Sequence, residues 1–326
     1  ADRRAHDALP MRLVTESRPE LPPSGPIPAD LYGHLFVNTA AGTVTSGGLP
    51  LRGPEVTTML AGDAYMMRFD LSPKGVTLKA RILETPCYWL DKATAERKSL
   101  KMYRFFNHGI LRFNWLVGAR NMNNTAFYSL PKKDAKVGDP CRLLATWDAG
   151  RPWEIDPITL EAKTPIGKRS EWFAEALGTY TFPVMFTTAH PQWDPDTQEL
   201  FSVNYGKGMD GLMETVPIMK NMALLGGMAG NTADSVLSAV GADRINKKLK
   251  DLALAIDNTR TRVQDATETG FLPQRFTHLL RWDGRGAIQH FQVRHRLRDG
   301  RLGGSVGISE TTHQIACSKH FVIILD

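Results

Sequence analysis

Two histidines stand apart from the other seven by their surroundings. His190 ends the apolar run Phe186-Thr187-Thr188-Ala189 and is followed by Pro191, and His313 lies in Thr311-Thr312-His313-Gln314-Ile315-Ala316 ahead of the apolar stretch His320–Leu325. A neutral imidazole at a strand end can ligate a metal or move a proton, and it can equally be an ordinary hydrogen-bonded structural residue; spacing alone leaves both readings open. Asp148, in Trp147-Asp148-Ala149-Gly150, has the form of an aspartate capping a turn before glycine. The chain contains no His-Glu-x-x-His, no Gly-x-Ser-x-Gly, no His-x-Glu paired with Cys-x-x-Cys and no glycine-rich phosphate loop. The usual signatures of zinc hydrolases, serine hydrolases, kinases and dehydrogenases are therefore missing.

The elements that must carry these residues are strands. Val76-Thr77-Leu78-Lys79-Ala80-Arg81-Ile82 alternates apolar and polar side chains, the pattern of a half-buried strand. Similar runs occur at Tyr65–Leu71, Thr125–Leu130, Leu143–Trp147, Leu200–Tyr205, Phe276–Trp282 and Ala287–Val293. Tight turns join several of them: Ser72-Pro73-Lys74-Gly75, Asp156-Pro157-Ile158-Thr159, Asp194-Pro195-Asp196-Thr197 and Asp283-Gly284-Arg285-Gly286. Proline presets a turn dihedral, aspartate accepts a backbone N–H, and glycine completes the reversal. The turns at 72, 156, 194 and 283 are separated by 84, 38 and 89 residues, near multiples of the roughly 40–45 residues of a four-stranded propeller blade. The spacing predicts an all-β fold, a propeller in preference to a sandwich. The expected exception is a helical insertion over 206–270, where Val236, Val240, Ile245, Leu249, Leu252 and Ile256 recur at mostly helical steps. Ahead of them, Val216–Met228 is methionine-rich and apolar, with Pro217 and Gly226-Gly227 interrupting it. That stretch reads either as a packed cap or as a patch that meets a membrane surface.

Composition narrows the class. The 326 residues are 42% hydrophobic and 23% charged, which fits a globular protein with a large core. Forty basic residues against 34 acidic ones give a mild, interspersed +6, and the densest run, Lys247, Lys248 and Lys250, is too short to mark a nucleic-acid partner. Three widely spaced cysteines, Cys87, Cys141 and Cys317, offer neither a disulfide framework nor a zinc knuckle. No spanning segment or leader is evident in the sequence, so a cytoplasmic protein, in contact with a membrane surface at most, is expected.

Read in order, the motifs resemble one family. The opening Gly25-Pro26-Ile27-Pro28 through Leu31-Tyr32-Gly33-His34 to Asn38 is similar to the start of the carotenoid cleavage oxygenases, the retinal pigment epithelial membrane protein superfamily. Gly62-Asp63, Leu83-Glu84-Thr85, Asn123-Asn124-Thr125, Arg142 to Pro157, Thr188 to Pro195 and Thr312-His313-Gln314-Ile315-Ala316 follow in the family's order. The resemblance implies a seven-bladed β-propeller, one domain over 1–326, with Fe(2+) on its axis held by four histidines. His190 and His313 match the first two ligand motifs, and Asp148 stands where the family has a glutamate that orients a ligand imidazole. The resemblance places the other ligands beyond Asp326, so the propeller is expected to be incomplete in this chain. By similarity to stilbene-cleaving relatives, Tyr88 and Arg120 would meet a phenolic substrate, the other reading being a strand-end tyrosine with an unrelated surface arginine. Phe105, Phe106, Phe113 and Trp115 are candidates for the lining of an apolar tunnel, though such aromatics more often pack in a core. Gly62-Asp63-Ala64-Tyr65 and His313-Gln314-Ile315 depart from the common family forms and mark a divergent member. The implied activity is O2-dependent cleavage of a carbon–carbon double bond in a carotenoid, apocarotenoid or stilbene-like molecule. A non-catalytic carrier of apolar ligands and a retinoid-type isomerohydrolase are the alternatives, and no nucleic acid is expected as a partner.

Overall fold

A computed structural model of the chain describes residues 28–41, 59–108, 111–114, 116–136, 139–174, 180–208 and 275–325. Most of the insertion expected over 206–270, the stretch Val216–Met228 and Trp115 lie outside the described residues. Within them the protein is built of short antiparallel sheets taken up in sequence order. The first comprises β1 (Gly33–Ala41), β2 (Asp63–Ser72) and β3 (Gly75–Ile82), paired in that order. Helix α1 (Pro86–Glu96) follows, and then a small sheet of β4 (Phe106–His108), β5 (Leu111–Asn114) and β6 (Gly118–Ala119).

Two larger sheets carry the centre of the molecule. One has β7 (Ala126–Leu130), β8 (Arg142–Thr146), β9 (Trp153–Ile155) and β10 (Ala162–Pro165), in the order β10-β9-β8-β7. The other has β11 (Phe186–Thr187), β12 (Gln192–Asp194), β13 (Glu199–Lys207), β14 (Arg275–Trp282) and β15 (Gln289–Gln292), with β11 and β12 both pairing along β13. Two hairpins complete the described chain: β16 (Arg294–Arg296) with β17 (Leu302–Ser305), and β18 (Ile315–Cys317) with β19 (Val322–Ile324). The four turns expected from sequence each close a hairpin, between β2 and β3, β9 and β10, β12 and β13, and β14 and β15. At the second, Asp156 Oδ1 accepts the N–H groups of Ile158 and Thr159 at 2.8 and 2.9 Å.

Helix α1 corrects the expectation that helix is confined to 206–270. Pro86 sits in its first turn, where its missing N–H is harmless, and Thr85 precedes it. The buried residues of this helix are Cys87, Tyr88, Asp91 and Thr94, half of them polar, so no apolar stripe announces it. Asp91 instead takes part in a buried ion network: Arg112 Nη1 and Arg120 Nε lie 2.6 and 3.0 Å from Asp91 Oδ2, and Arg120 Nη2 lies 2.5 Å from Asp63 Oδ1. Two charges of each sign cancel inside the protein, which makes their burial tolerable. This network ties α1 to β2, β5 and the end of β6.

The main core cluster lies between these sheets. It includes Leu111, Phe113, Ala119, Trp147, Ala149, Val184, Phe186, Val203, Tyr205, Ile308 and Ile315. Along β13, from Ser202 to Lys207, every residue is buried, as befits a strand flanked by others and covered on both faces. Among the described residues no helix is long and apolar enough to cross a membrane.

Candidate metal centre

The centre forms where three segments meet on that core: the end of β8, the end of β11 and the stretch before β18. Alternation past the end of β8 buries Trp147 and Ala149 in the core and turns Asp148 outward between them. The turn at Gly150 is tightly specified. Its φ is +107°, a conformation suited to glycine, and a Cβ there would lie 2.5 Å from the Asn121 amide carbon. Gly150 N–H donates to Met185 O at 2.7 Å, and Thr187 N–H donates to Asp148 O at 2.8 Å, so this turn is fastened to β11.

Four threonines without measurable exposure fasten the segments further. Thr146 Oγ1 donates to Ala189 O at 2.5 Å, and Thr187 Oγ1 donates to Trp147 O at 2.9 Å and Gly150 O at 3.1 Å. Thr188 Oγ1 donates to His313 O at 2.8 Å, and Thr312 Oγ1 donates to Leu325 O at 3.2 Å. Main-chain bonds run from Ala189 and His190 N–H to His313 O at 3.0 and 3.2 Å, forming a parallel bridge between His190 and Gln314. Gln192 adds its side-chain amide to Ile315 O at 3.1 Å. These threonines were invisible to sequence reasoning, because threonine is a common strand residue and nothing in Thr-Thr-Ala-His distinguishes a stitching hydroxyl from a β former.

The result is that His190 and His313, 123 residues apart, bring their Nε2 atoms to 3.2 Å, with the rings edge to face. On the far side of His313, Nδ1 lies 2.8 Å from Asp148 Oδ1. A carboxylate can only accept, so Nδ1 carries a proton and, in the neutral ring, the lone pair is left on Nε2, which faces His190. Burial, together with the neighbouring charge of His313, holds the His190 imidazole below the ordinary histidine range, which keeps it neutral near pH 7. Burial pushes the Asp148 carboxyl above its usual value, against the opposing pull of His313. The side chain of His313 is 53% exposed and that of Asp148 15%, so the pair stands at a surface opening backed by the core.

This donor set suits a divalent transition metal. Two nitrogens each about 2 Å from one ion lie about 3 Å apart when they occupy neighbouring positions, and imidazole suits ferrous iron. Among the described residues no group of three or more His, Cys, Asp or Glu side chains is gathered to hold a metal. His320, exposed in the turn before β19, takes no part.

The other expected contacts lie elsewhere. Tyr88 and Arg120 are neighbours, but the guanidinium sits over the face of the Tyr88 ring, 5.7 Å from its centroid. Burial opposes the charge of Arg120, yet Asp63, the Cys87 thiol and Asp91 outweigh it and raise its pKa further. Phe105 packs with Cys87 and Val117, and Phe113 belongs to the main core, the packing that such aromatics more often serve. Phe106 is exposed, beside Arg104.

The family model for retinal pigment epithelial membrane protein matches residues 11–220, nearly two thirds of the chain. Among solved structures, a variant of the Synechocystis apocarotenoid oxygenase is similar at 15% identity over 92% of this chain and 44% of its own, with a TM-score of 0.42. The cobalt-substituted form of that oxygenase gives 16% identity over 91% and 43%, with a TM-score of 0.43. The lignostilbene dioxygenase of Pseudomonas brassicacearum gives 20% identity over 56% and 32%, with a TM-score of 0.36. The chain thus spans less than half the length of these proteins. No curated protein sequence matches it. The family match covers both the turn of Asp148 and the segment of His190, and by it the chain belongs to the retinal pigment epithelial membrane protein family, the carotenoid cleavage oxygenases.

Proposed function

We propose that the protein is a non-haem iron(II) oxygenase that cleaves a carbon–carbon double bond of a carotenoid, apocarotenoid or stilbene-like substrate. Each half of the alkene gains one oxygen atom of O2, giving two carbonyl products. The observation that carries this reading is the convergence of His190 and His313 Nε2 at 3.2 Å, with His313 Nδ1 held by Asp148 at 2.8 Å. In this reading His190 and His313 hold the metal, and bound iron supplies the activation of dioxygen beside the alkene. Asp148 fixes the tautomer and the ring orientation of His313 and increases the basicity of its Nε2. The low proton affinity of His190 keeps a second lone pair available at neutral pH. Thr188 and the main-chain bonds to His313 O hold the two histidine segments in register, so the two nitrogens are placed before any ligand arrives.

The same reading takes the sheets β10-β9-β8-β7 and β11-β13-β14-β15 as blades of a seven-bladed propeller, one domain over 1–326 with the insertion 206–270 as a cap. An apolar substrate would be collected from a membrane surface by Val216–Met228, which liposome flotation of a variant with Met219, Leu224 and Leu225 changed to serine tests. Tyr88 and Arg120 support a phenolic substrate weakly, because Asp63 and Asp91 already claim the guanidinium. The deciding experiment is iron analysis of the purified full-length protein, followed by mass spectrometry of products from apocarotenoid and 4-hydroxystilbene under 18O2. Stoichiometric iron and one labelled oxygen in each carbonyl product, both lost on chelation, are expected. Ligand binding without iron would leave a carrier, and an isomerised alcohol without 18O from O2 would indicate an isomerohydrolase.

A further inference from the structure

We propose that Thr188 is a positioning residue whose hydroxyl sets the spacing of the two imidazoles, an inference that rests on His190 and His313 binding a metal. Its Oγ1 donates to the main-chain carbonyl of His313 at 2.8 Å and accepts the main-chain N–H of His190 at 3.3 Å. One hydroxyl therefore joins the backbones of both histidines, and its side chain is without measurable exposure. Neighbouring bonds do different work. Thr146 secures Ala189 to the end of β8, Thr187 secures the Asp148 turn, and the Tyr205 hydroxyl accepts Thr312 N–H at 3.1 Å. Each of those bonds fixes one segment to the body of the fold, whereas Thr188 fixes the His190 segment to the His313 segment. The main-chain bonds from Ala189 and His190 to His313 O, at 3.0 and 3.2 Å, remain when the hydroxyl is removed, so its loss loosens the junction without opening it.

Removing the hydroxyl leaves a buried carbonyl with one donor fewer and places a methyl group against it when the replacement is valine. The backbones stay joined, but the two histidine segments can shift against each other by the slack the lost bond leaves, and the 3.2 Å spacing of the nitrogens is no longer tightly enforced. Partners that orient ligands in this way are worth about 10- to 100-fold in metal affinity. Serine retains the hydroxyl and restores the bridge.

The test uses the full chain, metal-free, as wild type and as the variants Thr188→Val, Thr188→Ser and Thr146→Val. Thr146→Val removes an equally buried threonine bond that does not bridge the histidines. Two quantities are read: the ring-to-ring NMR contact between His190 and His313 without metal, and the affinity and visible spectrum of added cobalt(II). Thr188→Val is expected to lose the ring contact and to bind cobalt about 10- to 100-fold more weakly. Thr188→Ser should keep both, and Thr146→Val should melt earlier while keeping both. Retention of the ring contact in Thr188→Val, or equal losses in Thr146→Val, overturns the proposal. A wild type that takes up no cobalt while Thr188→Val still loses the ring contact refutes the metal reading and leaves the positioning role standing. Should Thr188→Val fail to fold, Thr188→Ala gives the same comparison with a smaller side chain.

Discussion

Replacing Asp148 by asparagine isolates the charge behind His313. Asparagine keeps an acceptor oxygen where Asp148 Oδ1 now lies 2.8 Å from His313 Nδ1, so the ring can hold its orientation while the negative charge disappears. A charged hydrogen bond of this kind contributes about 1.5–3 kcal/mol when protected from solvent. The carboxylate is 15% exposed but the imidazole 53%, which places the expected loss at the lower end. About 1.5–2 kcal/mol corresponds to roughly a 10- to 30-fold weaker hold on iron(II). Asp148→Ala removes both charge and acceptor and should fall further, toward the roughly 100-fold limit for groups that orient a ligand. The main-chain carbonyl of residue 148 still accepts Thr187 N–H in either variant, so the turn itself should persist. Anaerobic titration against a competing colorimetric chelator measures the affinity, with urea unfolding of the metal-free proteins as the control for folding. An asparagine variant that holds iron within twofold of the wild type refutes the argument, and Asp148 would then be a turn residue alone.

Four other outcomes follow from the geometry. Gly150→Ala pushes a Cβ into the Asn121 amide at a φ of +107°, so it should lower stability by about 1–3 kcal/mol in chemical unfolding. The second change Asn121→Ala should recover the steric part of that loss. Arg120→Met removes one of the two buried cations that balance Asp63 and Asp91, leaves a net buried negative charge, and should destabilise the fold by about 3–5 kcal/mol. Tyr88→Phe should fold normally and leave 4-hydroxystilbene turnover within twofold, whereas a large loss would restore the phenol-binding role. Asp156 is held down to about 2 by the N–H groups of Thr159 and Ile158. Its folded value lies below its unfolded one, so its contribution is complete above about pH 5 and disappears as pH falls through about 2. The stability difference between wild type and Asp156→Asn should therefore shrink steadily from pH 5 to pH 2, and a constant difference would contradict it.

The hairpins were legible because their turns declare themselves: Asp156-Pro157 and Asp194-Pro195 carry both the dihedral preference and the side-chain acceptor that the turn needs. Helix α1 was not, since its buried residues include Asp91 and Thr94 and periodicity methods count only apolar side chains. The same blindness hid the interior arginines: Arg112 and Arg120 look like surface residues until their carboxylate partners are seen 2.5–3.0 Å away. For the centre, local context singles out His190 and His313, but a joint role for them with Asp148 comes only through family resemblance. Their meeting depends on tertiary docking of three segments, and no local pattern encodes an approach between residues 123 positions apart.

That separation has a kinetic meaning. The hairpins β2–β3 and β9–β10 close over a few residues, but the junction of His190 with Gln314 closes a loop of more than 120 residues through a single parallel bridge. Loop-closure entropy rises with length, and contacts of this range form after local ones have reduced the freedom of the chain. The centre is accordingly a product of the last stages of folding rather than a seed for them. Sub-global opening should reverse the order, so the amides of Ala189 and His190, bonded across the junction, exchange with solvent water ahead of those within β13 and β14. Proton exchange at these two positions would thus serve as a clock for the integrity of the whole long-range assembly.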